Sequence, residues 1–118
     1  MARLDVFLKK QADRQIADYV HWLMGESVTV IEKLGTEFPG GKRGDLVYLL
    51  SDADGNRFIF HLEFQQDRSK EPMNLRMVGY DIRLREIYKL PVCGVVIYLK
   101  ESADEGFNGW FIGKCPIG

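Results

Sequence analysis

The chain reads as an α/β domain with the element order α-β-β-β-α-β, a mixed sheet flanked by helices. Three observations predict this. An apolar stripe at helical spacing opens the chain. Two strand-like runs then flank an Asp- and Gly-rich turn. A second helical stripe follows, and it leads into a nearly continuous apolar run of strand length.

Residues 4–24 are predicted as one helix. Ala12, Ile16, Tyr19, Val20, Leu23 and Met24 recur at a period near 3.6, and Gly25 stops the pattern. Residues 28–34 are rich in β-branched side chains and predict a short strand. Pro39, Gly40 and Gly41 mark a loop that residues 42–44 continue. Residues 45–50 and 57–65 predict a hairpin, since Asp52, Asp54, Gly55 and Asn56 supply turn chemistry between them. In the return strand Phe58, Phe60, Leu62 and Phe64 share one face. Ile59, His61, Glu63 and Gln65 share the other. Pro72 suits a first helical turn, and residues 73–89 carry Met73, Met77, Tyr80, Leu84, Ile87 and Tyr88 along one side. Leu90 and Pro91 end that helix. Residues 92–99 read as a strand covered on both faces, and 110–112 as a last short strand. Residues 102–108 read as a loop and 113–118 as a frayed end.

The length of 118 residues is that of one domain, with a 46% apolar and 28% charged composition that excludes a disordered tail or a fibre. There is no internal repeat, and no apolar run approaches the ~20 residues of a membrane span. The opening residues turn polar at once and lack a secretory signal core, so the expected location is the cytoplasm, with no membrane partner. Cys93 and Cys115 fit that location as free thiols, and two cysteines cannot build a zinc site. The net charge of −1 excludes a polybasic protein, but residues 68–89 carry six basic and three acidic side chains. A local basic stripe of that kind is compatible with a nucleic acid.

The chemistry gathers on the hairpin. Glu63 and Gln65 lie two apart on a strand, so both project from one face, together with His61. A glutamate at a strand centre is disfavoured unless it has a partner or a task; the plain alternative is that these side chains line a wet sheet face. In a hairpin turning near Asp54, position 45 falls opposite a residue near 63, which would set Asp45 beside Glu63. Two carboxylates with an amide oxygen suit a hard cation such as Mg²⁺ or Mn²⁺. His61 reads as a partly buried strand histidine or as a base near such a metal, and His21 as a surface residue. The phenylalanines of the return strand fall on the core face, so they are not a base-stacking platform. The chain has no P-loop, no dinucleotide-binding glycine motif and no nucleophile elbow.

The layout Gly44-Asp45, then seventeen residues, then Glu63-Phe64-Gln65, with Arg76 and Tyr80 on the following helix, resembles the PD-(D/E)XK nuclease superfamily. More closely, it resembles the Rpn group (recombination-promoting nucleases and putative transposases, also termed YhgA-like). The matching stretches are His61-Leu-Glu-Phe-Gln-Gln66, Met73-Asn-Leu-Arg-Met-Val-Gly-Tyr80 and the opening Leu4-Asp-Val-Phe-Leu-Lys9, within residues 4–100. The resemblance implies a restriction-endonuclease-like core and a single nuclease-like domain over residues 1–118, minimal or truncated at its C-terminus. It implies a metal-dependent DNA endonuclease acting by attack of a Mg-activated water, tied to recombination or mobile elements.

Carried over by position, Asp45 and Glu63 would hold the metal, and Asp45, Glu63 and Gln65 would form the catalytic set. Gln65 stands where the motif has lysine, so a neutral amide replaces a cation. Arg76, Lys70 and Arg68 would contact DNA. Tyr80, His61, Asp5 and Glu32 are accessory candidates, with Glu26 and Glu37 further choices for an additional acid. The alternative readings are a weak or inactive nuclease-fold protein that binds DNA or regulates, and a dimerising interaction domain. A homodimer is compatible with either.

Overall fold

The structure is a computed structural model that describes residues 4–38, 42–65, 73–98 and 110–112, with side chains described for 7–34, 46–65 and 75–98. The elements run α1 (Leu4–Arg14), α2 (Ile16–Met24), β1 (Thr29–Phe38), β2 (Lys42–Ser51), β3 (Arg57–Gln65), α3 (Met73–Tyr88), β4 (Val92–Tyr98) and β5 (Trp110–Ile112). The fold is α/β, with one mixed sheet in the order β1-β2-β3-β4-β5. Neighbours are antiparallel except β3 and β4, which run parallel with α3 as the crossover between them.

Three boundaries differ from the sequence expectation, one of them in β1, which runs Thr29–Phe38 rather than over 28–34. The opening helix is two helices, because Gln15 leaves helical geometry at φ −121°, ψ 37°. Neither Pro nor Gly marks that break, and the apolar stripe runs through it unbroken, so periodicity alone cannot reveal it. Residues 42–44 are strand rather than loop: Lys42, Arg43 and Gly44 pair with Phe38, Glu37 and Thr36. Charged residues and glycine have low strand propensity, but the adjoining chain supplies their ladder partners. Register shifts between Val30 and Glu32 and between Leu34 and Thr36 break the alternation of β1, which is why its faces were not legible.

The β2–β3 turn is held as its sequence suggests. Asp52 accepts from the backbone N–H groups of Asp54 and Asn56, each at 2.9 Å, and Gly55 takes φ 83°. Gly25, at φ 97°, ends α2 in the same way.

Both sheet faces are covered. Ala12 and Val20 from α1 and α2 pack with Leu46, Tyr48, Leu50, Phe58, Phe60, Leu62 and Phe64. On the other face Met77, Tyr80 and Leu84 of α3 pack with Val47, Leu49, Ile59, Val92 and Val96. The close approach of α3 uses Gly94 of β4, where a Cβ would stand 2.8 Å from Met77 Cε. Cys93, within the first cluster, is disulfide-bonded rather than the free thiol expected. A cysteine on an apolar strand has the same sequence surroundings whether it is bonded or free.

A polar tie joins the first layer to the sheet edge. The buried Tyr48 hydroxyl donates to Asp13 of α1, and Lys33 of β1 pairs with the same carboxylate at 2.9 Å. The hydrogen bond from Tyr48 and that from Lys33 hold the Asp13 carboxyl below its ordinary range, and burial with the Asp13 bond pushes the Tyr48 hydroxyl up.

Helix α3 has apolar side chains on two sides. Leu84 is fully buried against the sheet, whereas Leu75, Val78 and Ile82 lie outward, Ile82 at 53% exposure. Leu84→Ala is expected to cost about 2–5 kcal/mol in urea unfolding, through lost burial and the cavity left behind. Ile82→Ala is expected to change stability by no more than about 0.5 kcal/mol. Equal costs would show that α3 does not dock by its Met77-Tyr80-Leu84 side.

Candidate metal and phosphate site

The C-terminal half of β3 carries the site. His61, Glu63 and Gln65 alternate onto the face that α3 covers, so they do not line a wet face. His61 is 1% exposed and Gln65 9%, and the Glu63 side chain is 12% exposed. Polar groups so placed are costly unless they are bonded. His61 Nε2 lies 3.0 Å from Glu63 Oε1, a hydrogen bond between residues two apart on one strand face.

Helix α3 completes this side. Arg76 and Tyr80 are one turn apart, and Arg76 Nη2 donates to Tyr80 Oη at 3.2 Å. The guanidinium carbon stands 5.9 Å from the centre of the Tyr80 ring, within range of a cation–π contact. Tyr80 in turn meets the His61 ring edge to face at 5.1 Å between centres. Tyr80 is therefore the helix-to-sheet packing residue and also the link between Arg76 and His61.

The electrostatics favour an ionised carboxylate. Burial pushes the Glu63 carboxyl up. The His61 hydrogen bond, with the charges of His61, Lys9 and Arg76, outweighs it and holds the carboxyl below its ordinary 4.5. Lys9 was not singled out in the sequence as a site residue. The available signal was its place one turn after Asp5 in the opening helix, which puts the two positions on one helix face.

The hairpin register bears on Asp45. Described pairs run from Ser51↔Arg57 to Val47↔His61. The described ladder ends at Val47↔His61, and the pairing of position 45 with position 63 expected from the turn lies beyond it. Asp45 belongs to β2, but its side chain lies outside those described, as does that of Asp5. Arg68 and Lys70 lie outside the described residues altogether. Glu32 sits on β1, which does border the hairpin, but its side chain is exposed. Glu26 is exposed beyond α2, and the side chain of Glu37 is not among those described.

The donors that gather here are a carboxylate and a carboxamide, oxygen ligands of the kind that Mg²⁺ and Mn²⁺ take. Among the described residues, no group of three His, Cys, Asp or Glu side chains is placed to hold a metal ion. Glu63 and Gln65 thus fit a hard cation in chemistry, and a complete ligand set requires position 45 or another acid. Comparison of the chain with protein-family models, with curated proteins and with solved structures finds no match.

Removing a positive neighbour is expected to raise the Glu63 pKa. Arg76→Gln and Lys9→Gln should each move its ¹³C carboxyl titration upward in NMR. The sign for stability follows. A carboxyl depressed in the folded chain stabilises it fully above its unfolded pKa, near 4.5, and loses that contribution as pH falls through the folded value. Glu63→Gln should therefore flatten the stability profile below about pH 5. An unchanged titration in both cation variants would remove Arg76 and Lys9 from the site.

Proposed function

We propose that the chain is a metal-dependent DNA endonuclease with a restriction-endonuclease-like core, of the PD-(D/E)XK type and similar to the Rpn group. One observation carries the reading. Glu63, held ionised at the end of a central strand, shares its covered face with Gln65 and lies within the field of Arg76. The turn-defined register, if it continues past the described Val47↔His61 pair, would bring position 45 opposite Glu63, and this is the arrangement the reading requires. In open α/β sheets the carboxyl ends of parallel strands are where ligands bind, and Glu63 and Gln65 occupy that end of β3 beside β4.

In this reading Glu63 and Asp45 hold Mg²⁺ or Mn²⁺. Such a cation, when bound, stabilises charge on a phosphoryl oxygen and lowers the pKa of a bound water. The chain's own groups do the rest. Glu63 supplies negative charge without a proton to lose. The Gln65 amide orients a water but supplies no cation, so transition-state charge falls to Arg76. Its planar guanidinium donates to phosphate oxygens, and Tyr80 fixes its direction. Arg68 and Lys70 extend the phosphate contacts along the strand that is cut. A role in recombination or mobile elements, and a cytoplasmic location, belong to the same proposal. Among the described residues, no helix is long and apolar enough to cross a membrane.

The absence of a lysine at position 65 favours a second reading, a non-cleaving DNA-binding or regulatory protein on the same scaffold. A dimerising domain is the third, and the outward Leu75, Val78 and Ile82 of α3 would be its contact in a pair of chains.

Nicking of supercoiled plasmid with Mg²⁺ or Mn²⁺ is expected for the wild-type chain. Glu63→Ala should lower it at least about 100-fold, the scale of losing a key electrostatic group. Equal cutting by both would remove Glu63 from the chemistry. Salt-sensitive DNA binding without cleavage, weakened by Arg76→Ala or Lys70→Ala, would establish the second reading. Light-scattering mass measurement on the wild type and Val78→Glu should show a dimer lost in the variant if the third holds.

A further inference from the structure

We infer that His61 is the positioning residue of the Glu63 carboxylate, engaging one of its oxygens so that the other faces the cation; the inference rests on the reading of Glu63 as a metal ligand. The first argument is from placement. His61 is 1% exposed, against the Tyr80 ring and opposite Val47 in the β2–β3 ladder, on a strand face where an aliphatic side chain would pack without any hydrogen bond to satisfy. A polar ring there has its use in the bonds that it makes, and one of them goes to Glu63 Oε1 at 3.0 Å.

The second argument is from chemistry. An ionised carboxylate only accepts, so the hydrogen between the two groups sits on His61 Nε2, and the ring donates. A bond to Oε1 leaves Oε2 as the ligand oxygen. It also fixes a side chain that otherwise turns about three bonds. The third argument is that the ring itself is held. Tyr80 packs edge to face against it at 5.1 Å, and Tyr80 is tied to Arg76 at 3.2 Å. Across the parallel ladder His61 faces Gly94, which presents no side chain, and Met77 fills the space above that glycine. The order of support runs Arg76, Tyr80, His61, Glu63. Each member limits the next, and the last holds the cation. Groups that orient a metal ligand in this manner typically contribute 10- to 100-fold to metal affinity.

The test is the affinity for Mn²⁺ alone, measured by calorimetry on the purified chain without DNA. His61→Leu should weaken binding by about 10- to 100-fold. His61→Gln, whose amide nitrogen reaches the position of Nε2, should restore most of it. His61→Asn, one bond shorter, should not. In a Glu63→Gln background His61→Leu should bring no further loss, because its effect passes through the carboxylate. Wild-type affinity in His61→Leu, beside lost affinity in Glu63→Gln, would overturn the positioning role and leave the metal site standing. Wild-type affinity in Glu63→Gln would instead overturn the metal-ligand reading and the inference with it. If His61→Leu does not fold, the contrast between His61→Gln and His61→Asn decides, and equal affinities there overturn the role.

Discussion

A strand that is buried on both faces leaves its polar side chains no water to turn to. β3 is such a strand, with α1 and α2 over one side and α3 over the other. The phenylalanines on the first side need only be packed. On the second side His61, Glu63 and Gln65 must be bonded to something, and the folded chain supplies part of the answer itself, by pairing His61 with Glu63. The charge state of Glu63, the orientation of the His61 ring and the place of Tyr80 all follow from that one enclosure. Were the face open, solvent would screen the carboxylate and the histidine would have no reason to adopt a single direction.

The crossover helix is what closes this face, so α3 has two tasks. Its Met77, Tyr80 and Leu84 supply the apolar cover. Its Arg76, one turn before Tyr80, brings a cation toward the end of the strand where Glu63 sits. The same helix therefore raises the cost of ionising Glu63, by excluding water, and lowers it, by adding charge. The second effect prevails, together with His61 and Lys9. A carboxylate that stays ionised in a largely dry setting is a stronger ligand field for a cation or a phosphate-bound metal than one in water.

The sequence made the β2–β3 turn and the pairing beside it legible, because the turn residues and the strict alternation of 58–65 favour one register, while the start of β2 at Lys42 was read as loop. The described ladder, from Ser51↔Arg57 to Val47↔His61, is the one that the turn at Asp52 to Asn56 requires. Alternation also put Glu63 and Gln65 on one face, and helical spacing put Arg76 beside Tyr80. What alternation could not say is what lies over the second face. A polar residue in every other position looks like a wet surface, and only the tertiary placement of α3 makes it an interior. The His61–Glu63 bond was hidden for the same reason, since both residues were already assigned to the face but not to each other. The break at Gln15 and the field of Lys9 depend on how separate elements settle together, for which local pattern has no signal.

The double cover of β3 also bears on how the sequence drifts between lineages. At Phe58, Phe60, Leu62 and Phe64 a change of volume disturbs one core, and at Ile59 and His61 it disturbs the other. Selection for folding alone would hold most of this strand, whether or not a phosphodiester is ever cut. The outward side of α3 at Val78 and Ile82 is more than half exposed and is freer to diverge. Among descendants of this chain, β3 would be the slowest segment to change, and constancy at Glu63 would speak for chemistry only where the partly solvent-reached Glu63 is kept more strictly than the fully enclosed His61 beside it.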